Sequence, residues 1–372
     1  MNSGRWWRAS LTMSMVGALA VSTGASTPPA EAVVGASSEV AGAAKSGAAE
    51  PGPATAPNPA AEPSVLQENR LDARTLDLLI YSPALGTSAP VRLLLPRGWK
   101  KHPDRTWPVL YLLHGCCEDA DYRAWTNFTD VQRFMSDKDV LTVIPSGGPA
   151  GFYTRWAGGE PDWESFHLSE LRGILERDYG AGDRRAVAGL SVGGYGSFAY
   201  AFRHPGMFRA AASYSGLLNT LQPGVPGVVQ GLLVREGEDP LAMWGSAVLD
   251  HPTWSARNPF DHAEQLRGTA LYVSCGNGLP GPLDAPGALP DSLEPSALST
   301  SLAMTSRLKA MGIAVTEHYY GAGRHDWPYW ERELHRSWPM FADRLGLAGA
   351  SANAVANAPS STNPAANRIP AE

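Results

Sequence analysis

Short apolar stretches alternate with longer amphipathic ones along this chain, and that alternation sets the fold class. Thr75–Tyr81, Val91–Leu95, Val109–Leu113, Leu141–Ile144, Arg185–Gly189, Ala210–Tyr214, Ala270–Cys275 and Ala314–Tyr320 read as strands. The later ones are continuous apolar runs, the pattern of strands covered on both faces of a parallel sheet. The first two lie close together, which suits an antiparallel start. Trp163–Arg177, Gly194–His204, Ser296–Met311 and Tyr329–Leu345 read as helices. The last carries Trp330, Leu334, Trp338, Phe341 and Leu345 at helical spacing, a stripe for core packing rather than binding. The expectation is an α/β fold with a mostly parallel central sheet of about eight strands and helices on both faces. No internal repeat is visible.

Composition changes the picture at the two ends. Arg5 and Arg8 precede an apolar run, Ala9–Val21, that is shorter than the ~20 residues a membrane span needs. Small residues follow, with Gly24-Ala25-Ser26 or Ala30-Glu31-Ala32 as cleavage points, so residues 1–32 read as a signal peptide. Residues 33–64 and 349–372 are rich in Ala, Pro and Gly with few large apolar side chains, and read as a disordered linker and tail. Residues 65–348 between them hold the aromatics and form one domain.

Charge and cysteine content mainly exclude. A net charge of −6 without a basic run gives no support for nucleic-acid binding or a polybasic membrane anchor. No apolar run reaches transmembrane length. The three cysteines, Cys116, Cys117 and Cys275, rule out a disulfide framework and lack zinc-type spacing. An odd count leaves a thiol over, and the pairing stays open.

The candidate chemistry begins at Gly189-Leu190-Ser191-Val192-Gly193. A strand runs in and a helix runs out, so Ser191 sits on a strand-to-helix turn with glycines on both sides, the form of a nucleophile elbow. A serine nucleophile needs a base, because its hydroxyl is protonated at neutral pH. His325 lies in Gly321–Trp327, after the last strand and before the last helix, where an α/β-hydrolase carries its histidine. His204, His318 and His335 fall within helices or strands, while surface exposure is the default for His102, His167, His251 and His262. Acyl transfer also needs two N–H groups aimed at the developing oxyanion. Val192 supplies one, and Cys116, in the loop after Val109–Leu113, the other. The acid should follow Ala270–Cys275, and Asp284, Asp291 and Glu294 all qualify by position. This chemistry calls for no cofactor and no metal.

A family resemblance goes further. Asp121-Tyr122 with Trp125, Gly147-Gly148, Phe152-Tyr153-Thr154-Arg155-Trp156, Gly189-Leu190-Ser191 and Ser215-Gly216-Leu217-Leu218 occur in family order. Met243-Trp244-Gly245, Trp254 through Asn258-Pro259, Cys275-Gly276-Asn277-Gly278 and His325-Asp326-Trp327-Pro328-Tyr329-Trp330 continue it. Over roughly Leu71 to Leu345 the chain resembles the secreted serine esterases of the α/β-hydrolase superfamily, and looks closest to the antigen 85 mycolyltransferase branch. The resemblance implies Glu294 as the acid. It also implies substrate contacts at His114, Cys117, Trp156 and Trp327. At two of these the branch differs: it carries an aspartate where His114 stands and an arginine where Cys117 stands, and both help it bind trehalose. Its serine after the histidine is Asp326 here. The implied function is a secreted serine esterase or acyltransferase that loads an acyl group on Ser191 and passes it to water or an alcohol. Its partners would be small acyl esters or lipids, with possible cell-envelope or polysaccharide association. The competing readings are a mycolyl or diacylglycerol-type acyltransferase, a feruloyl or acetyl polysaccharide esterase, and a non-catalytic adhesion or matrix-binding relative. In the run Val225–Val234 the segment 216–254 is expected to cover the site.

Overall fold

Alternate residues of the central strands pack into two separate cores, and the sheet lies between them. In β4, Trp107–Leu113, the side chains of Trp107, Val109, Tyr111 and Leu113 enter one core, while Leu110 and Leu112 enter the other. This is the two-residue alternation of a strand buried on both faces. The computed structural model describes residues 62–101, 104–118 and 120–347; the expected signal peptide, nearly all of the linker, and the tail lie outside them. Nine strands form one sheet in the order β1-β2-β3-β5-β4-β6-β7-β8-β9. β1 (Ser64–Arg70), β2 (Thr75–Ser82) and β3 (Thr87–Leu94) form an antiparallel meander that joins β5 (Leu141–Pro145) antiparallel. From β5 onward, through β4, β6 (Ala181–Leu190), β7 (Ala210–Tyr214), β8 (Ala270–Cys275) and β9 (Val315–Tyr319), every pairing is parallel.

The strand absent from the sequence-based expectation is β1. Its SVLQENR run is almost wholly exposed and pairs only with β2, so it carries none of the apolar signature that marks the others. On one face the helix Val192–Arg203 buries Tyr195, Phe198, Tyr200 and Phe202 beside the helical stretch 163–178, whose middle, Phe166–Leu171, is π-helical. On the other face the last helix, Trp327–Arg344, places Trp330, Leu334 and Phe341 against Trp125, Val131 and Met135. Asp326 caps that helix by accepting from its own neighbour, the Trp327 N–H. Among the described residues no helix is long and apolar enough to cross a membrane.

This topology carries the ends of β4, β6, β7 and β8 to one edge of the sheet. In an open α/β sheet the carboxyl ends of parallel strands are where ligands bind.

Candidate active site

Ser191 takes a conformation that L-residues avoid, φ 52° and ψ −120°, between β6 and the helix that starts at Val192. The flanking glycines make the turn possible. A Cβ on Gly189 would lie 2.1 Å from the Gly193 carbonyl oxygen, and one on Gly193 would lie 2.4 Å from that of His114. The Ser191 N–H donates to the Tyr214 carbonyl of β7 at 2.9 Å, which ties the strained residue to the sheet. Val192, first in its helix, keeps an N–H with no intrahelical partner.

His325 comes from the loop between β9 and the last helix. Its Nδ1 lies 2.7 Å from Glu294 Oε2. Glu294 opens the helix Glu294–Ala310 and is completely buried. Its other oxygen accepts from Ser215 Oγ at 2.8 Å, from the Gly276 N–H at 2.6 Å and from Tyr320 Oη at 3.3 Å. Burial pushes this carboxyl up, but the hydrogen bond and charge of His325, with Gly276 and Ser215, outweigh it and hold Glu294 below its ordinary value. The Ser215 hydroxyl in turn accepts from Trp330 Nε1 at 3.1 Å, and the Trp330 ring meets the His325 imidazole edge-on at 4.9 Å.

The two competing acids are engaged elsewhere. Asp284 accepts from the Gly281 N–H and the Tyr329 hydroxyl. Asp291 accepts from the N–H groups of Leu293 and Glu294, holding the start of the helix that Glu294 opens.

Ser191, His325, Cys116, Cys117 and Trp327 line one cavity of about 250 Å³, together with Leu232 and Arg235 from the helix Val225–Arg235. The segment expected to cover the site therefore reaches it through the end of one helix. In the loop after β4, the expected oxyanion loop, the Cys117 N–H is taken by the Pro149 carbonyl at 2.9 Å. Trp327 is held between Phe128, stacked at 5.1 Å, and the edges of Trp125 and Trp330.

Three expectations need correction. His114 does not face the cavity: its ring is buried, with Nε2 2.9 Å from the Gly147 N–H and 3.1 Å from Asp121 Oδ2. It packs against the loop at Gly147. Trp156 is also outside the cavity lining, nearly buried, and donates Nε1 to the Gly151 carbonyl at 3.3 Å. His167 is fully buried rather than exposed.

Asp121, Ser215 and Trp330 were not singled out for the site. Asp121 gathers Ser146 Oγ and the N–H groups of Gly147 and Gly148 within 3.0 Å. Burial opposes its charge, but His114 and these donors hold its carboxyl below the ordinary value. All three fall inside the motifs that carry the family resemblance, the sequence signal that links them to the site; the helical spacing of Trp330 pointed only to core packing.

The sulfurs of Cys116 and Cys117 and a Glu236 carboxylate oxygen lie within 4.8 Å of one another, the group among the described residues close enough for a metal ion. Cys116 and Cys117 are joined as a disulfide, however, and metal binding needs thiolates. Cys275 is left as the free thiol. It is buried, its Sγ 3.2 Å from Glu294 Oε1, and burial with that carboxylate raises it well above its ordinary value.

Residues 82–341 match the esterase family model. The chain belongs to that esterase family. Its likeness to the antigen 85 branch is seen in relatives too: this chain is 30% identical over 253 residues to the diacylglycerol acyltransferase/mycolyltransferase Ag85B of Mycobacterium avium, covering 64% of this chain and 76% of that one. It is 31% identical over 226 residues to the esterase Rv1288 of Mycobacterium tuberculosis, covering 57% of this chain and 48% of that one. The chain thus spans about half the length of that relative. Among solved structures, MPT51 (FbpC1) of Mycobacterium tuberculosis superposes with a TM-score of 0.61 at 26% identity, over 74% of this chain and 99% of that one. Family and superposition agree on an α/β-hydrolase fold.

Proposed function

We propose that the protein is a secreted serine esterase or acyltransferase that forms an acyl-enzyme on Ser191. The observation that carries the reading is the Glu294–His325 hydrogen bond beside the cavity that also holds the strained Ser191. His325 takes the proton of the Ser191 hydroxyl as its oxygen adds to the ester carbonyl. Glu294 fixes the imidazole through Nδ1, which leaves Nε2 for the serine, and stabilises the imidazolium without taking its proton. The N–H groups of Val192 and Cys116 receive the oxyanion, each such donor contributing about 3 kcal/mol. His325 then returns the proton to the departing alcohol, and water or an alcohol removes the acyl group by the same path in reverse.

A cavity of about 250 Å³ is below the range of ~300–1,000 Å³ usual for enclosed ligand sites, which favours a short acyl group or a longer one that runs out over the surface. Arginine is absent at Cys117 and the residue at 114 is turned away, which favours water or a simple alcohol over trehalose as acceptor. The pattern of residues 1–32 supports export, with 33–64 as linker, 65–348 as the catalytic domain and 349–372 as tail.

Mixing the purified protein with p-nitrophenyl butyrate tests the mechanism. The expected result is a stoichiometric burst of p-nitrophenol with a butyryl adduct on Ser191 by mass spectrometry, absent in Ser191→Ala. Steady hydrolysis that survives Ser191→Ala would overturn it. Competition between water and trehalose for the loaded enzyme then identifies the acceptor.

A further inference from the structure

Cys116 and Cys117 are adjacent in sequence and bonded to each other, and both line the cavity that holds Ser191. A disulfide between neighbours closes a ring through a single peptide unit, so it constrains backbone dihedrals directly rather than joining distant segments. Here those dihedrals matter. Cys117 has φ 81°, a conformation that costs a non-glycine residue free energy and persists only where its surroundings impose it. With Cys117 held there, its N–H points to the Pro149 carbonyl and is used up. That leaves the neighbouring Cys116 N–H as the donor for the oxyanion. On the far side the loop is pinned by His114 and Asp121 against Gly147. The disulfide adds a covalent restraint at the cavity, beside the Cys117–Pro149 hydrogen bond.

We propose that the Cys116–Cys117 disulfide is a reducible clasp that positions the oxyanion donor, and that a dithiol which opens it slows acylation. This rests on the acyl-enzyme reading above. Both cysteines are half-buried and border an open cavity, so a small reductant can reach them. A thiolate of the dithiol attacks one Sγ, the Cys116–Cys117 bond breaks, and the departing sulfur takes up a proton. The second thiol of the reductant then displaces the first Cys from the mixed disulfide. The protein gains two electrons and two protons, and the dithiol leaves as a cyclic disulfide. Freed from the ring, Cys117 relaxes from positive φ and the Cys116 N–H swings off the oxyanion position. Cys275 takes no part, being buried beside Glu294.

Wild-type protein is labelled with a maleimide under native conditions before and after dithiothreitol, and its burst with p-nitrophenyl butyrate is followed in both states. The expected result is no label on Cys116 or Cys117 before reduction and label on both after. The acylation rate should fall about 5- to 100-fold while the substrate concentration that half-saturates the burst rate stays nearly unchanged, because a misplaced oxyanion donor is felt in the transition state and not in substrate binding. Oxidised glutathione should restore the rate. A Cys116→Ala/Cys117→Ala double variant should show the lowered rate and ignore dithiothreitol. Labelling before reduction, an unchanged rate after it, or a double variant that still responds would each overturn the clasp. The reduction of wild-type protein stands even where the variant does not fold. Failure of the underlying mechanism looks different, since the oxidised protein would then give no burst at all.

Discussion

Glu294 is buried and charged at once, which is tolerable only because each of its oxygens is occupied. The Gln variant keeps the shape but offers an amide that no longer stabilises the imidazolium. Glu294→Gln should therefore lower kcat by about 10²- to 10⁴-fold while the melting transition stays cooperative, measured by burst kinetics and calorimetry. Asp291→Asn should change kcat far less, since Asp291 touches backbone N–H groups and not His325. His167 makes a second residue-level prediction. It is buried between the Tyr200 hydroxyl and the Ser146 carbonyl, each at 2.7 Å, and burial pulls it down to about 4 from an ordinary 6.5. Between those values the unfolded chain binds a proton that the folded one refuses, so stability falls as pH drops from 6.5 to 4. The loss approaches roughly 3 kcal/mol at the acid end. Denaturant melts across this range should show it, and His167→Gln should flatten the slope. Ser191 and His325 are legible in the chain as candidates because each sits at a break between element types. Position alone did not separate Glu294 from Asp284 and Asp291, and the resemblance was needed. The direction of His114 was not legible, because a residue at a strand end faces either way, and the packing of Gly147 against its ring turns it inward.

At the scale of elements, the helix after Ser191 is pressed so closely on the end of β4 that residue 193 has no room for a side chain. A Cβ there would stand 2.4 and 2.5 Å from the carbonyl oxygens of His114 and Leu113. Gly193→Ala should force helix and strand apart, costing about 2–4 kcal/mol in urea melts and most of the activity. Retention of full stability would mean that the strand and helix can part without cost. The parallel strands were legible because burial on both faces makes them continuously apolar. β1 was not, since an exposed edge strand is specified by its partner's ladder rather than by its own side chains. The run Val225–Val234 was visible as apolar. Only the helix it forms, Val225–Arg235, brings Leu232 and Arg235 onto the cavity, a placement set by tertiary contacts beyond any local pattern.

Across the whole molecule, the sheet order brings the ends of β6, β7 and β8 side by side, and three loops far apart in sequence meet over them. The fold class followed from alternation, but this convergence depends on strand order, which no local pattern encodes. The same sheet also carries the backbone tension at Ser191, whose φ of 52° is a conformation open to glycine. Ser191→Gly should relieve part of a cost of roughly 1–3 kcal/mol, less the ~0.5–1 kcal/mol that glycine's freedom in the unfolded chain takes back. Calorimetry should find an inactive protein that melts about 2–4 °C higher. Selection for chemistry and selection for endurance thus pull in opposite directions at this one position. A lineage no longer required to turn over esters would gain stability by surrendering its serine, so glycine here would mark a retired enzyme.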